Sequence, residues 1–284
     1  MSLRLREVLA DGVRALRQGG IAGAERDARV MLAAILAVEP ARLSLEPDRV
    51  ISPGDQARFE AMLSQRIAGK PVSRIIARRA FWGRDFLVSP GVLDPRPDTE
   101  TLIAAALNLG PPQRLLDLGA GSGIIAVTLL AEWPEAVATA TDISPDCLMV
   151  VRSNATKHGV EARLSIVQSD WFEKVTPAFD MILSNPPYIS EREMAALAVE
   201  VKDHDPHIAL TPGGDGLGAY RAICADVVQY LTPLGHLLVE IGPTQAAAVA
   251  GLMEAGGLRQ IRVLPDLDGR DRVVIGQKPA DPAT

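Results

Sequence analysis

Through residues 1–70 apolar positions recur at helical spacing. Leu5, Val8, Leu9, Val13 and Leu16 form one stripe, closed by Gly19-Gly20. Ala28, Met31, Leu32 and Ile35 form a second, on a helix expected over Glu25 to Val38. A third helix is expected from Ser52-Pro53: Ser suits the N-cap, Pro the first helical position, and Asp55 completes the capping pattern. Phe59, Met62, Leu63 and Ile67 are its expected apolar face. This pattern predicts a small all-α bundle, and no residue in it is assigned to chemistry. Residues 71–100 read as a connector, with a short hairpin around Phe81 to Val88, followed by a helix through Leu109. From Arg114 onward, apolar runs of strand length alternate with helical stretches. Strands are expected at Arg114–Leu118, Val137–Asp142, Leu164–Gln168, Met181–Ser184 and His236–Ile241. A final pair, Gln260–Leu264 and Arg272–Gly276, flanks the turn-rich Asp266-Leu267-Asp268-Gly269-Arg270. Such alternation predicts an α/β domain: a parallel sheet covered by helices on both faces. The tail after Lys278 reads as disordered.

Composition narrows the classes. Of 284 residues, 48% are hydrophobic, enough for a sizeable core, but only 4% are aromatic, too few for base-stacking platforms. No apolar run approaches the roughly 18 residues of a membrane span, so a soluble cytoplasmic protein is expected. Cys147 and Cys224 lack metal-ligand spacing and read as small buried hydrophobes. The net charge of −6 is uneven: residues 1–80 hold 14 Lys+Arg against 9 Asp+Glu, and residues 81–284 hold 15 against 26. A −11 carboxyl-terminal part is ill suited to an extended phosphate backbone. The +5 amino-terminal part suits an acidic protein surface better than RNA.

Candidate chemistry lies at the expected strand ends. Leu115-Leu116-Asp117-Leu118-Gly119-Ala120-Gly121-Ser122-Gly123 ends a strand and opens a helix, and its glycines let backbone approach a ligand closely. The Gly-x-Gly-x-Gly spacing, the acid two residues before it and the missing Gly-x-x-Gly favour S-adenosylmethionine over NAD. Asp142 ends the next strand, where a carboxylate can accept both ribose hydroxyls or cap the following helix. Asp170-Trp171 follows the third, beside the expected adenine: Asp170 as acceptor for its amine, Trp171 packed on the ring. Asn185-Pro186-Pro187-Tyr188 follows the fourth. The Asn185 side-chain oxygen and the Pro186 carbonyl can accept both hydrogens of a planar amino group, aiming its delocalised lone pair at a methyl donor. Proline competes with no N–H of its own, and Tyr188 can stack on the planar group. Ligands in open α/β sheets bind at strand carboxyl ends, so four such ends in succession weigh more than any one. His204 and His207 beside Asp203 and Asp205 read as a surface turn interrupted by Pro206, with no metal expected. Gly213-Gly214-Asp215-Gly216 reads as a loop near the site.

Taken in order, the helical region, Pro95-Arg96-Pro97-Asp98-Thr99-Glu100, the Asp117–Gly123 loop, Asp170-Trp171, Asn185-Pro186-Pro187-Tyr188, Ala209-Leu210 and Gly213-Gly214-Asp215-Gly216-Leu217 resemble the peptide chain release factor glutamine methyltransferases. The resemblance runs from about residue 5 to 276. It implies a Rossmann-like class I methyltransferase domain over 101–278 using S-adenosylmethionine, with S-adenosylhomocysteine as product. A helical substrate-docking domain over 1–75 and a connector over 76–100 precede it. The implied reaction methylates the side-chain amide nitrogen of the Gln in the Gly-Gly-Gln loop of class I release factors, modulating translation termination. The implied cofactor positions are Gly119, Ala120, Gly121, Ser122, Gly123, Asp142, Asp170, Trp171 and Asn185. Asn185, Pro186, Pro187 and Tyr188 are the implied substrate loop, with Asn185, Pro186 and Tyr188 at the chemistry. The expected partner is a class I release factor, with no direct nucleic acid and no membrane, and the expected state is a monomer. Arg74, Asp94 and Asp98 depart from the family pattern, as does Asp205 where Glu is frequent. A ribosomal-protein glutamine methyltransferase would share loop and fold. A nucleic-acid adenine-N6 methyltransferase would share Asn-Pro-Pro-Tyr but needs base flipping and a basic channel, which the −11 region disfavours.

Overall fold

The computed structural model describes residues 3–281, apart from the side chains of Val199 and Glu200. The last three residues of the expected disordered tail lie outside the described residues. The backbone gathers into two compact units: the described residues through Arg78 with Ala198–His204, and 79–197 with 205–281.

The first unit is helical: α1 (Leu5–Gln18), α2 (Ala24–Leu36), α3 (Pro53–Ile67) and the short α4 (Val72–Ile76). Leu5, Val8, Leu16, Met31, Leu32 and Phe59 meet in one core. As the pattern requires, Ser52 Oγ accepts the Asp55 N–H at 3.0 Å and Pro53 opens α3. Two expectations shift. Helix α2 stops at Leu36 because Ala37 turns left-handed, with φ 53°. Ile67 is 42% exposed, since at the end of α3 it lies over Gly19 rather than in the core. A buried ion pair absent from the sequence reading, Arg66 Nε to Asp27 Oδ2 at 2.8 Å, ties α3 to α2.

The second unit opens with the hairpin β1 (Arg78–Phe81) and β2 (Arg84–Leu87), then α5 (Glu100–Leu109). There follow β3 (Arg114–Leu118), α6 (Ile124–Glu132), β4 (Val137–Asp142), α7 (Pro145–Lys157), β5 (Leu164–Gln168) and β6 (Phe179–Ser184). After the short α8 (Glu191–Met194) comes α9 (Val199–His204), which belongs to the first unit; α10 (His207–Leu210), α11 (Gly218–Tyr230), β7 (Leu231–Glu240), α12 (Ala246–Ala255), β8 (Arg259–Pro265) and β9 (Asp271–Gln277) complete the second. Seven strands make one sheet in the order β5-β4-β3-β6-β7-β9-β8.

Five neighbouring strands, β5 to β7 in sheet order, pair in parallel, but β9 lies between β7 and β8 and runs antiparallel to both, so the sheet is mixed rather than parallel. The Asp266–Arg270 turn explains the reversal: it returns the chain at once, whereas a parallel neighbour needs a long crossover. Alternate side chains serve opposite faces. Leu115, Leu238, Val273 and Ile275 pack with α5 and α6, while Leu116, Leu237, Val239 and Val274 pack with α11 and α12. Helix α6, apolar on every side, is buried from Ile124 to Leu130. Strand order reverses between β3 and β6. The carboxyl ends flanking that point, where an open α/β sheet leaves a crevice, carry the motifs.

Candidate active site

A cavity of about 580 Å³ opens at these strand ends. Gly119, Ala120, Gly121 and Ser122 line it after β3, Asp142 after β4, Asp170 and Trp171 after β5, and Asn185 and Pro187 after β6. Gly123, Pro186 and Tyr188, singled out with them, do not line it. Gly123 sits instead at the N-cap of α6 with φ 80°, where a Cβ would press on Val151 at 3.2 Å.

The glycine loop is held from several sides. Asp142 Oδ2 accepts the Gly121 N–H and its Oδ1 the Ser144 N–H, both at 2.9 Å. Asp142 therefore braces the loop as well as facing the cavity. Asp117 Oδ2 accepts the Ala126 N–H at 3.0 Å, stitching β3 to the first turn of α6. Burial pushes the Asp117 pKa up to about 7, and the nearby Asp142 charge adds to the rise. The fully buried Asn154 of α7 donates to the Ser122 carbonyl at 2.8 Å and exchanges two bonds with the Leu87 backbone. Beyond β5, Trp171 adopts a left-handed φ of 42°, strained for a bulky residue. Ser169 Oγ holds that turn, donating to the Trp171 carbonyl and accepting the Lys174 N–H, each at 3.0 Å. Cys147 also lines the cavity, but burial pushes its pKa up to about 12, so it remains a thiol.

Asn185 is placed by its neighbours. Ser184 Oγ donates to the Leu118 carbonyl at 2.7 Å, locking the end of β6 to the end of β3. Asn185 Nδ2 donates to Thr99 Oγ1 at 3.1 Å. Neither Asn185 Oδ1 nor the Pro186 carbonyl accepts a hydrogen bond from any described residue, so both keep free lone pairs. Tyr188 turns from the cavity into the core that includes Ile241, and its hydroxyl faces the Glu240 carboxylate. Burial, then that carboxylate, hold the phenol well above its usual range and neutral. The Tyr188 backbone is clamped by Gln245, whose Nε2 donates to its carbonyl at 2.9 Å while Oε1 accepts from Gly242 at 3.0 Å.

Asp205 corrects the surface-turn reading of 203–207. Its side chain is 3% exposed, pairs with Arg96 at the cavity wall and accepts the Asp94 N–H at 3.2 Å. The acid at 94 is offset by Arg79, 3.6 Å away. Among the described residues no cluster of three or more His, Cys, Asp or Glu is arranged to hold a metal.

Sequence reasoning missed Thr99, Asn154 and Glu240. Glu240 had a signal: an acid ending the apolar run Leu237-Leu238-Val239. Asn154 had none, being one polar residue on an ordinary helix.

Residues 89–216 match the methyltransferase small domain family, and residues 7–76 match the PrmC N-terminal domain. The release factor glutamine methyltransferase of Cereibacter sphaeroides is 53% identical over 278 residues, spanning 98% of this chain and all of that one. The chain belongs to the release factor glutamine methyltransferase family. The Rhodospirillum rubrum member is 41% identical across 98% of this chain and 86% of its own. A methyltransferase from Pyrococcus furiosus shares the fold, with TM-score 0.54 at 15% identity over 80% of this chain and all of that one. The chain is thus a methyltransferase, with the mixed central sheet of that fold. No helix among the described residues is long and apolar enough to cross a membrane.

Proposed function

We propose that this family member transfers a methyl group from S-adenosylmethionine to the side-chain amide nitrogen of the Gln in the Gly-Gly-Gln loop of class I release factors, and so tunes translation termination. One observation carries the chemistry. Asn185 lines the cavity with its amide nitrogen already bonded to Thr99, leaving Oδ1 as a free acceptor, and the carbonyl of the next residue, Pro186, accepts no hydrogen bond from any described residue. Both hydrogens of a glutamine amide would find acceptors there. The relatives' name supplies the substrate class.

The residues at the strand ends fit the cofactor. Gly119 and Gly121 have φ of 70° and 56°, and a Cβ at Gly121 would meet nothing within 4 Å, so the turn is open on that side. Asp142 keeps a second lone pair on each oxygen for ribose hydroxyls, and Asp170 and Trp171, which line the cavity after β5, would take the adenine. When bound, S-adenosylmethionine supplies an electrophilic methyl group on a good leaving group. Asn185 and Pro186 orient the amide nitrogen and stabilise the positive charge that grows on it. The protonated product amide is strongly acidic and releases its proton to water. Residues 1–75 would serve as the docking domain, the release factor as partner of a monomeric enzyme, and the cytoplasm as the setting.

Asn185→Ala should therefore keep cofactor affinity and lose most turnover, by about 2.7–4 kcal/mol in activation free energy if it matches the loss of one preorganised polar contact. Methyl incorporation into release factor, a ribosomal protein and an oligonucleotide, measured side by side, tests the substrate. Incorporation into either of the last two and not the first would contradict the proposal.

A further inference from the structure

We infer that Thr99 is a positioning residue: the chain Glu240–Thr99–Asn185 sets which way the Asn185 amide points and so presents Oδ1 to the substrate. The inference rests on the reading of Asn185 above. A carboxamide is nearly symmetric in shape, and a hydroxyl can donate as well as accept. The contact between Asn185 and Thr99 alone would therefore tolerate either end of the amide. A flipped Asn185 would turn its NH2 toward the substrate's NH2 and offer no acceptor.

Three features remove that freedom. Thr99 occupies the N-cap position of α5, where a hydroxyl ordinarily accepts a backbone N–H of its own helix. It makes no such bond, and it is fully buried. Glu240, at the end of β7, is also fully buried, and the Thr99 and Tyr188 hydroxyls face its carboxylate. Both carboxylate oxygens are cut off from solvent, and neither accepts a hydrogen bond of standard geometry from any described residue. They are open to the one proton each hydroxyl carries. Above about pH 7, where the buried Glu240 has given up its proton, its carboxylate only accepts. Once Thr99 spends its proton on Glu240, its oxygen has only lone pairs for Asn185, and Nδ2 must face it.

The surroundings fit this role. Arg272 of β9 and Asp98 before α5 are the charged groups near Glu240. Arg272 is bonded to the Ile241 carbonyl at 3.1 Å and paired with Asp98 at 3.0 Å. Tyr220 of α11 fixes the Glu240 backbone carbonyl at 2.8 Å. A buried carboxylate is costly, and packing alone would be served by a neutral side chain.

The test is a mutant cycle in the full-length enzyme, assayed with S-adenosylmethionine and a class I release factor. T99V keeps the volume and removes the hydroxyl. It should lower kcat about 10²-fold, the scale of a displaced reacting group, with KM and calorimetric cofactor affinity unchanged. T99S should restore kcat. E240Q, which can donate as well as accept, should lower kcat by less than T99V. In an N185A background, T99V should cost nothing further. Wild-type kcat in T99V beside an inactive N185A would overturn the inference alone, as would an equal T99V loss in both backgrounds. Wild-type turnover in N185A would overturn the reading beneath it as well.

Discussion

Both carboxylate oxygens of Asp142 already accept backbone N–H groups at 2.9 Å, so this side chain shapes the glycine loop before any ligand arrives. Asp142→Ala should weaken S-adenosylmethionine binding by about 1.5–3 kcal/mol, the range for hydrogen bonds to a charged group. It should also speed amide exchange at Gly121. Calorimetry with unchanged affinity but faster exchange would leave Asp142 as a brace alone. Asp117 makes a different prediction. Its pKa in the fold, about 7, lies above its ordinary 3.8 because of burial. Between roughly pH 4 and 7 the native protein keeps a proton that the unfolded chain has released. Its contribution to stability therefore falls as pH rises through that window and levels off above it. Glu240, pushed up to about 7 by burial, acts with the same sign. Asp117→Asn keeps an acceptor for the Ala126 N–H and removes the charge. It should raise stability at pH 8 by up to about 4 kcal/mol, less the cost of an unpaired amide, and flatten the pH slope. Urea midpoints from pH 5 to 8 measure this, and an unchanged slope would contradict it.

Loops, more than helices or strands, decide the site. Gly216 has φ 79°, and a Cβ there would sit 2.4 Å from the Tyr188 carbonyl, so its loop and the Asn-Pro-Pro-Tyr loop fit together only through glycine. Gly216→Ala must shift backbone at the substrate loop and should lower kcat as well as stability. Gly214→Ala, at φ 56° in open space, should cost only about 1–2 kcal/mol of left-handed strain and spare activity. Equal effects of the two on kcat would separate the loops functionally. The same division explains what the sequence made legible. Strands β3, β4 and β5 fall on their expected residues, because each is a short run rich in apolar or β-branched residues between turn or loop residues. The antiparallel insertion of β9 was not legible, since hydrophobic alternation carries no direction. Asp205 was misplaced for a related reason: an acid among histidines and a proline reads as surface, and only the fold brings Arg96 to it. Thr99 and Glu240 stand 141 positions apart, a pairing that no local pattern encodes.

The whole molecule separates its tasks. The helical unit has its own core around Leu16, Met31 and Phe59, while every residue lining the cavity belongs to the other unit. Deleting residues 1–75 should thus spare cofactor binding and impair methylation of an intact release factor far more than of a short Gln peptide. Equal loss on both substrates would assign those helices a folding role. The central claim, that the free acceptors at Asn185 and Pro186 serve a release factor glutamine, is tested most directly by mapping the product. The full-length protein is incubated with S-adenosylmethionine and a class I release factor, and the digested substrate is sequenced by mass spectrometry. The account predicts a mass gain of one methyl group replacing hydrogen, confined to the Gln of the Gly-Gly-Gln loop and absent with Asn185→Ala. A gain on any other residue, or an unchanged gain with the variant, would contradict it.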